Sequence, residues 1–175
     1  IKNNDWFVCL HNRSPDYLNK KFPNENFQRH DIRDCKFQNL YEATKLIGKM
    51  GGKCIRMSSG EKNKLDKNAP HNIIDYAFSY QSDFMDVFLP AKCNFLIGPQ
   101  SGLLNVSLIF NVPVAATNVI PLNCAFVPSN SLFIPKLLWY KEDKRFLSYN
   151  EICRLDLNEC LNISDFQSKG IEVIE

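Results

Sequence analysis

Residues 94–105, Asn-Phe-Leu-Ile-Gly-Pro-Gln-Ser-Gly-Leu-Leu-Asn, constrain the fold more than any other stretch of the chain. Phe95, Leu96 and Ile97 form an unbroken apolar run, as a strand covered on both faces requires, and Gly98-Pro99 ends it. Leu103, Val106 and Phe110 then recur at helical spacing with Leu104 and Leu108 beside them. A helix therefore starts near Ser101, whose hydroxyl stands at the N-cap, while Gly102 leaves the backbone open to a ligand. Bare amides at a helix N-terminus, with a hydroxyl beside them, suit an anion such as a phosphate.

Similar strand–helix steps run through the rest of the chain. Trp6–Leu10 is a nearly continuous apolar strand that stops at His11-Asn12-Arg13-Ser14-Pro15. Residues 16–36 are dense in Asn, Lys and Pro without periodicity. They predict a long loop, functional or disordered, that Asp31-Ile32-Arg33-Asp34 docks back. Phe37, Leu40, Tyr41, Thr44 and Ile47 share a helical face, and Gly51-Gly52 stops that helix. Lys53–Met57 is a second strand ending in Ser58-Ser59-Gly60, residues 61–70 are a polar loop, and residues 73–76 are a third strand. Ser82 caps a helix that turns Met85, Phe88 and Leu89 inward. Residues 112–116 form a fifth strand that tolerates Pro113 near its start. Beyond Asn118 lie an apolar stretch at 132–138, a capping box at Ser148–Glu151 opening a helix to about Leu161, and a last strand around Ile171, Val173 and Ile174.

This alternation predicts one α/β domain over residues 1–175, a parallel sheet with right-handed crossovers and helices on both faces. All strand-to-helix loops of such a sheet open on one edge. His11–Arg13, Ser58–Gly60, residues 76–82, Gly98–Gly102 and Asn118 are thus expected at a common crevice.

Composition removes several functional classes. The chain has 175 residues, 45% hydrophobic and 23% charged, with a net charge of +2 and scattered Lys and Arg, which gives no nucleic-acid groove. No apolar run approaches the roughly 18 residues of a membrane span. Seven cysteines, an odd number without a C-x-x-C pair, read as reduced structural thiols of a cytoplasmic protein. His11, His30 and His71 match no zinc spacing, so no metal is expected. The chain opens at Ile1 without a methionine, which suggests a fragment of something longer.

The chemistry-bearing residues are few. Arg13 follows a buried strand directly and has the fork geometry that grips phosphate oxygens. Arg56 sits inside a strand between Ile55 and Met57, where a buried charge needs an anion, either a ligand's or a structural carboxylate. His11 either orients or deprotonates a hydroxyl or is a satisfied strand-end histidine. Ser101 does not fit a hydrolase elbow, because the spacing is wrong for G-x-S-x-G and all three histidines precede it. No G-x-G-x-x-G, Walker loop or D-x-D motif is present, which leaves arginines, amides and hydroxyls for metal-independent handling of a phosphate or diphosphate.

Several of these segments resemble a family of bacterial proteins assigned as glycosyltransferases. They are residues 6–13, Arg29-His30-Asp31-Ile32, residues 51–57, Ile74–Ala77, Asp86–Leu89, Phe95–Leu103 and Ile134-Pro135-Lys136, in that order. More distantly, the His-x-Arg strand end and the Gly-x-x-Ser turn are similar to those of GDP-fucose-using fucosyltransferases. The resemblance implies a Rossmann-like, C-terminal donor-binding domain of a GT-B glycosyltransferase, with the acceptor domain upstream. It implies a nucleotide-diphosphate sugar, GDP-linked or otherwise, as donor substrate, a glycan or other hydroxyl as acceptor, and no cofactor. Arg13, Arg56, Gln100, Ser101, Gly102 and Asn118 are then expected on the nucleotide and its diphosphate, with His11 and Asp75 as candidate bases. Where the family often carries an acidic residue after its Arg-Met-Gly step, this chain has Ser58-Ser59, and Asp75 or Asp86 are the possible replacements. A non-catalytic nucleotide- or phosphosugar-binding module and a sugar-phosphate epimerase are the other readings.

Overall fold

The computed structural model describes residues 5–58, 64–125 and 128–175, without the side chains of residues 28–30. Ser59 and Gly60, expected at the crevice, and residues 61–63 after them lie outside the described residues, as do the side chains of Arg29 and His30.

Six strands build the main sheet: β1 (Phe7–His11), β2 (Lys53–Met57), β3 (Ile73–Ile74), β4 (Phe95–Gly98), β5 (Val114–Val119) and β6 (Leu132–Pro135). Their spatial order is β3-β2-β1-β4-β5-β6 and every ladder is parallel. The chain builds outward from β1 in one direction through β2 and β3, then crosses to β4 and builds outward the other way. This Rossmann-like order leaves a topological switch point between the C-terminal ends of β1 and β4, where no crossover helix covers the crevice.

Between the strands run α1 (Asp16–Lys21), α2 (Tyr41–Lys49), α3 (Tyr76–Ser79), α4 (Asp83–Lys92) and α5 (Gly102–Ile109). Helices cover both faces. Cys9, Ile55, Met57 and Leu96 pack against Tyr76, Leu89 and Leu104 from α3, α4 and α5. Val8, Leu10, Cys54 and Ile97 pack on the other side against Tyr41 and Ile47 of α2, and against Phe37 and Leu40 of the 3-10 turn before it. Strand neighbours in register point to the same face. Leu10 stands beside Arg56 and His11 beside Met57, so the parity of β2 sends Arg56 to the α2 side.

A second, smaller layer follows. β7 (Leu137–Tyr140) lies between β8 (Arg145–Phe146) and β9 (Ile171–Ile174) in an antiparallel sheet, with α6 (Tyr149–Arg154) and α7 (Ile163–Ser168) packed nearby. Its core joins Leu138, Ile152, Leu157, Phe166 and Ile171 to Ile120, at the end of β5, and to Ile32, from the segment after β1.

Several sequence expectations move. The polar segment 16–36 holds α1 and a 3-10 turn, Gln28–Arg33, and its end docks through buried Ile32 as Asp31–Asp34 suggested. The third strand stops at Ile74, and Tyr76 begins a helix. The fifth strand slides to Val114–Val119, because Pro113 has no N–H to give and Thr117 and Asn118 continue the ladder through a register shift. The helix predicted to reach Leu161 ends at Arg154, followed by left-handed Asp156 at φ 54° and a 3-10 turn at Leu157–Glu159. Phe88 and Phe110, expected inside, are 41% and 54% exposed. In α5 the fully buried position is Ser107, whose hydroxyl donates to the Pro90 carbonyl at 3.0 Å. A small polar residue there lets α5 lie close to α4.

Candidate functional site

The switch point holds a cavity of about 510 Å³. Its walls come from the end of β1 and the residues after it, Ser58 after β2, the turn after β4 with the start of α5, and three pieces of the chain that sequence periodicity did not place there, Tyr17-Leu18, Arg33 and Asp86.

Gly98 is the reason the two strand ends meet. A Cβ on it would lie 2.7 Å from the His11 carbonyl oxygen and 2.9 Å from the His11 Cβ, distances no real side chain tolerates. With no side chain at 98, the turn Pro99–Ser101 lies directly over the end of β1. Ser101 then caps α5, its Oγ accepting from Leu104 N at 3.3 Å, and leaves the first amides of the helix at the cavity wall.

His11, Asn12 and Ser58 are buried polar residues of this cavity. The His11 Nδ1–H donates to the Met57 carbonyl at 3.1 Å, which fixes the tautomer and leaves Nε2 as an acceptor. Burial, with a smaller push from Arg13, lowers the imidazole pKa to about 4, so the ring is neutral at physiological pH.

Arg13 lines the cavity, and its Nη1 donates to the Asp34 carboxylate. The segment around Asp34 is tied down three times: by that ion pair, by Cys35 N donating to Arg13 O at 3.1 Å, and by Lys136 Nζ donating to Asp34 O at 2.7 Å. Burial raises the Asp34 carboxyl to about 6 despite the opposing pull of Arg13. The docked segment carries Arg33 to the cavity rim as a second guanidinium. Sequence reasoning had Arg33 only as part of a docking motif. No local signal marks it, because its place follows from the burial of Ile32 next to it.

The predicted residues therefore separate into two groups. His11, Arg13, Gln100, Ser101 and Gly102 converge on the cavity. Arg56, Asp75 and Asn118 line neither this cavity nor the one beside it. Arg56, 5% exposed, donates from Nη1 to Asp75 at 3.3 and 3.4 Å and lies over the Phe37 ring at 5.1 Å. Asp75 also accepts from Leu65 N at 3.1 Å, which makes the pair a clamp on the loop after β2. Asn118 takes a left-handed conformation, φ 53°, inside β5. Asp86 does reach the cavity, where it accepts from Tyr76 Oη at 2.8 Å.

Among the described residues no group of three or more His, Cys, Asp or Glu side chains converges to hold a metal, and no helix is long and apolar enough to cross a membrane. All seven cysteines are free thiols. Comparison with protein-family models, with curated proteins and with solved structures gives no match.

Proposed function

We propose that this chain is the donor-binding half of a metal-independent glycosyltransferase acting on a nucleotide-diphosphate sugar. One observation carries the reading: Arg13, Arg33 and the amide-rich start of α5 share one cavity at the switch point of a parallel sheet. Two guanidiniums and a helix N-terminus are complementary to a diphosphate. They gain most in the transition state, when the bond to the anomeric carbon breaks and negative charge grows on the leaving diphosphate. His11 and Asp86 are the cavity groups able to accept the proton of an attacking hydroxyl. Asp75 serves Arg56 instead. The acceptor is a glycan or other hydroxyl compound, bound with the help of an upstream domain.

The second reading is a nucleotide-binding module that uses the same cavity without transfer. Calorimetry with GDP, UDP, ADP and CMP tests the diphosphate site, and release of nucleotide from the matching sugar nucleotide tests for chemistry. Wild type is expected to bind a diphosphate, with Arg33→Ala weaker by about tenfold, the worth of one charge-assisted contact. CMP binding as tightly as the diphosphates removes the diphosphate assignment. Diphosphate binding with no release of nucleotide favours the module.

A further inference from the structure

Arg33 and Asp34 are adjacent in the chain but stand differently toward the cavity. Arg33 lines both this cavity and the one beside it, whereas Asp34 lines neither. The Asp34 carboxylate instead meets Arg13 from outside the cavity and accepts from its Nη1, with side-chain exposures of 12% for Arg13 and 21% for Asp34. A guanidinium that lines the cavity thus already carries an anion.

That carboxylate cannot withdraw with its backbone. Asp34 N donates to Asp31 O at 2.9 Å, Lys136 Nζ donates to Asp34 O at 2.7 Å, and Cys35 N donates to Arg13 O at 3.1 Å. A phosphate that reaches Arg13 therefore shares the guanidinium with a fixed carboxylate. Like charges held so close repel, and at the effective dielectric of a partly exposed site the repulsion corresponds to about tenfold in affinity. A proton on Asp34 removes it. Burial, against the pull of Arg13, has already brought that carboxyl up to about 6.

We infer that Asp34 is the resident counter-anion of Arg13, a residue that sets the affinity of the cavity for phosphate and makes it take up a proton with its ligand. This role rests on the proposed function and adds to it the group that opposes the diphosphate. Among the described residues, the charged groups facing Asp34 are Arg13 after β1, Asp31 on the 3-10 turn and Lys136 between β6 and β7, with Glu175 after β9 acting on Lys136. His11, at about 4, stays neutral throughout the range in which Asp34 titrates.

The test is calorimetry on the full chain with GDP, UDP and ADP, using wild type, Asp34→Asn and Arg33→Ala, each first melted to show that it is folded. At about pH 8, Asp34→Asn is expected to bind the nucleoside diphosphate about tenfold more tightly than wild type. The ratio of the two affinities, in which the ligand's own titration cancels, should close toward one by about pH 5. At about pH 6.5, binding measured in buffers of different ionisation enthalpy should take up about half a proton more in wild type than in Asp34→Asn, as a carboxyl moved from about 6 to about 7 requires. Asp34→Ser, a shorter neutral side chain at the same 21% exposed position, answers the same question if Asn disturbs the fold. Weaker binding in the neutral variants overturns the inference and makes Asp34 the residue that holds Arg13 in place. Unchanged binding, or a ratio that ignores pH, overturns it as well. If binding still depends on Arg33 in those cases, the proposed function stands and the counter-anion role alone falls. Binding of none of the three ligands, by wild type or by the Asp34 variants, removes both.

Discussion

Replacing Arg56 by Met separates a residue that holds the fold from one that holds a ligand. The guanidinium is 5% exposed, paired with Asp75 at 3.3 Å and stacked over Phe37 at 5.1 Å. Met fills a similar volume but leaves the Asp75 carboxylate, 18% exposed, without its cation. Breaking one side of a buried pair costs about 3–5 kcal/mol, and we take the lower end, about 3 kcal/mol, because Asp75 retains some water and the Leu65 amide. For a chain of this size each kcal/mol moves the melting midpoint by about 2–4 °C, so the midpoint should fall by about 6–12 °C. Asp75→Asn should cost less, and the double variant should be more stable than the sum of the singles by about 1 kcal/mol or more. The assay is thermal and urea melting, alongside nucleotide calorimetry at a temperature where the variant is folded. An unchanged midpoint together with loss of diphosphate binding would refute the assignment and return Arg56 to the cavity.

Three other outcomes are specific to this structure. Between about pH 4 and 6 two groups oppose each other. The lowered pKa of His11 makes the folded state bind fewer protons than the unfolded one, so stability falls as pH drops from 6.5 toward about 4. The raised pKa of Asp34 makes the folded state bind more, so stability falls as pH rises from 3.8 toward about 6. Urea titrations across this range should show the two contributions offsetting in wild type, with Asp34→Asn unmasking a positive slope with pH and His11→Asn a negative one; parallel slopes in both variants contradict the pairing. Gly98→Ala forces a Cβ into the His11 backbone, 2.7 Å away, and should destabilise by about 1–3 kcal/mol while weakening anion binding, both read by melting and calorimetry. Ser101→Ala removes the cap on Leu104 N and should cost about 1 kcal/mol, whereas Ser101→Gly should cost only a few tenths.

The sheet was legible because its strands are short apolar runs separated by turn residues. Lys53–Met57 and Phe95–Gly98 fall where periodicity places them, and Ser82, Ser101 and Ser148 cap the helices that their spacing announces. The site was legible in part. His11, Arg13 and the 98–102 turn come together because a parallel sheet sends every strand end to one edge. Arg56 belonged elsewhere, and the period of two contains the reason. It neighbours Leu10, which faces α2, while His11 neighbours Met57 on the opposite face. Arg33 and Asp86 could not be found by local pattern, since each reaches the cavity through packing of residues far apart in the chain. The fifth strand was expected to end at Ala116 because Thr117 and Asn118 do not look like strand interior, yet β5 runs through them to Val119.

Ile32, one residue before the rim arginine, is embedded among side chains from β7, α6, α7 and β9 rather than in the main sheet. Glu175, the last residue, receives the amide of Lys36 at 2.8 Å and the Asn39 side chain at 2.7 Å. The C-terminal layer thus anchors, from behind, the segment that carries Arg33 to the cavity. Damage to it, by truncation after β7 for instance, would be felt first as a weaker grip on anions, before the central strands notice.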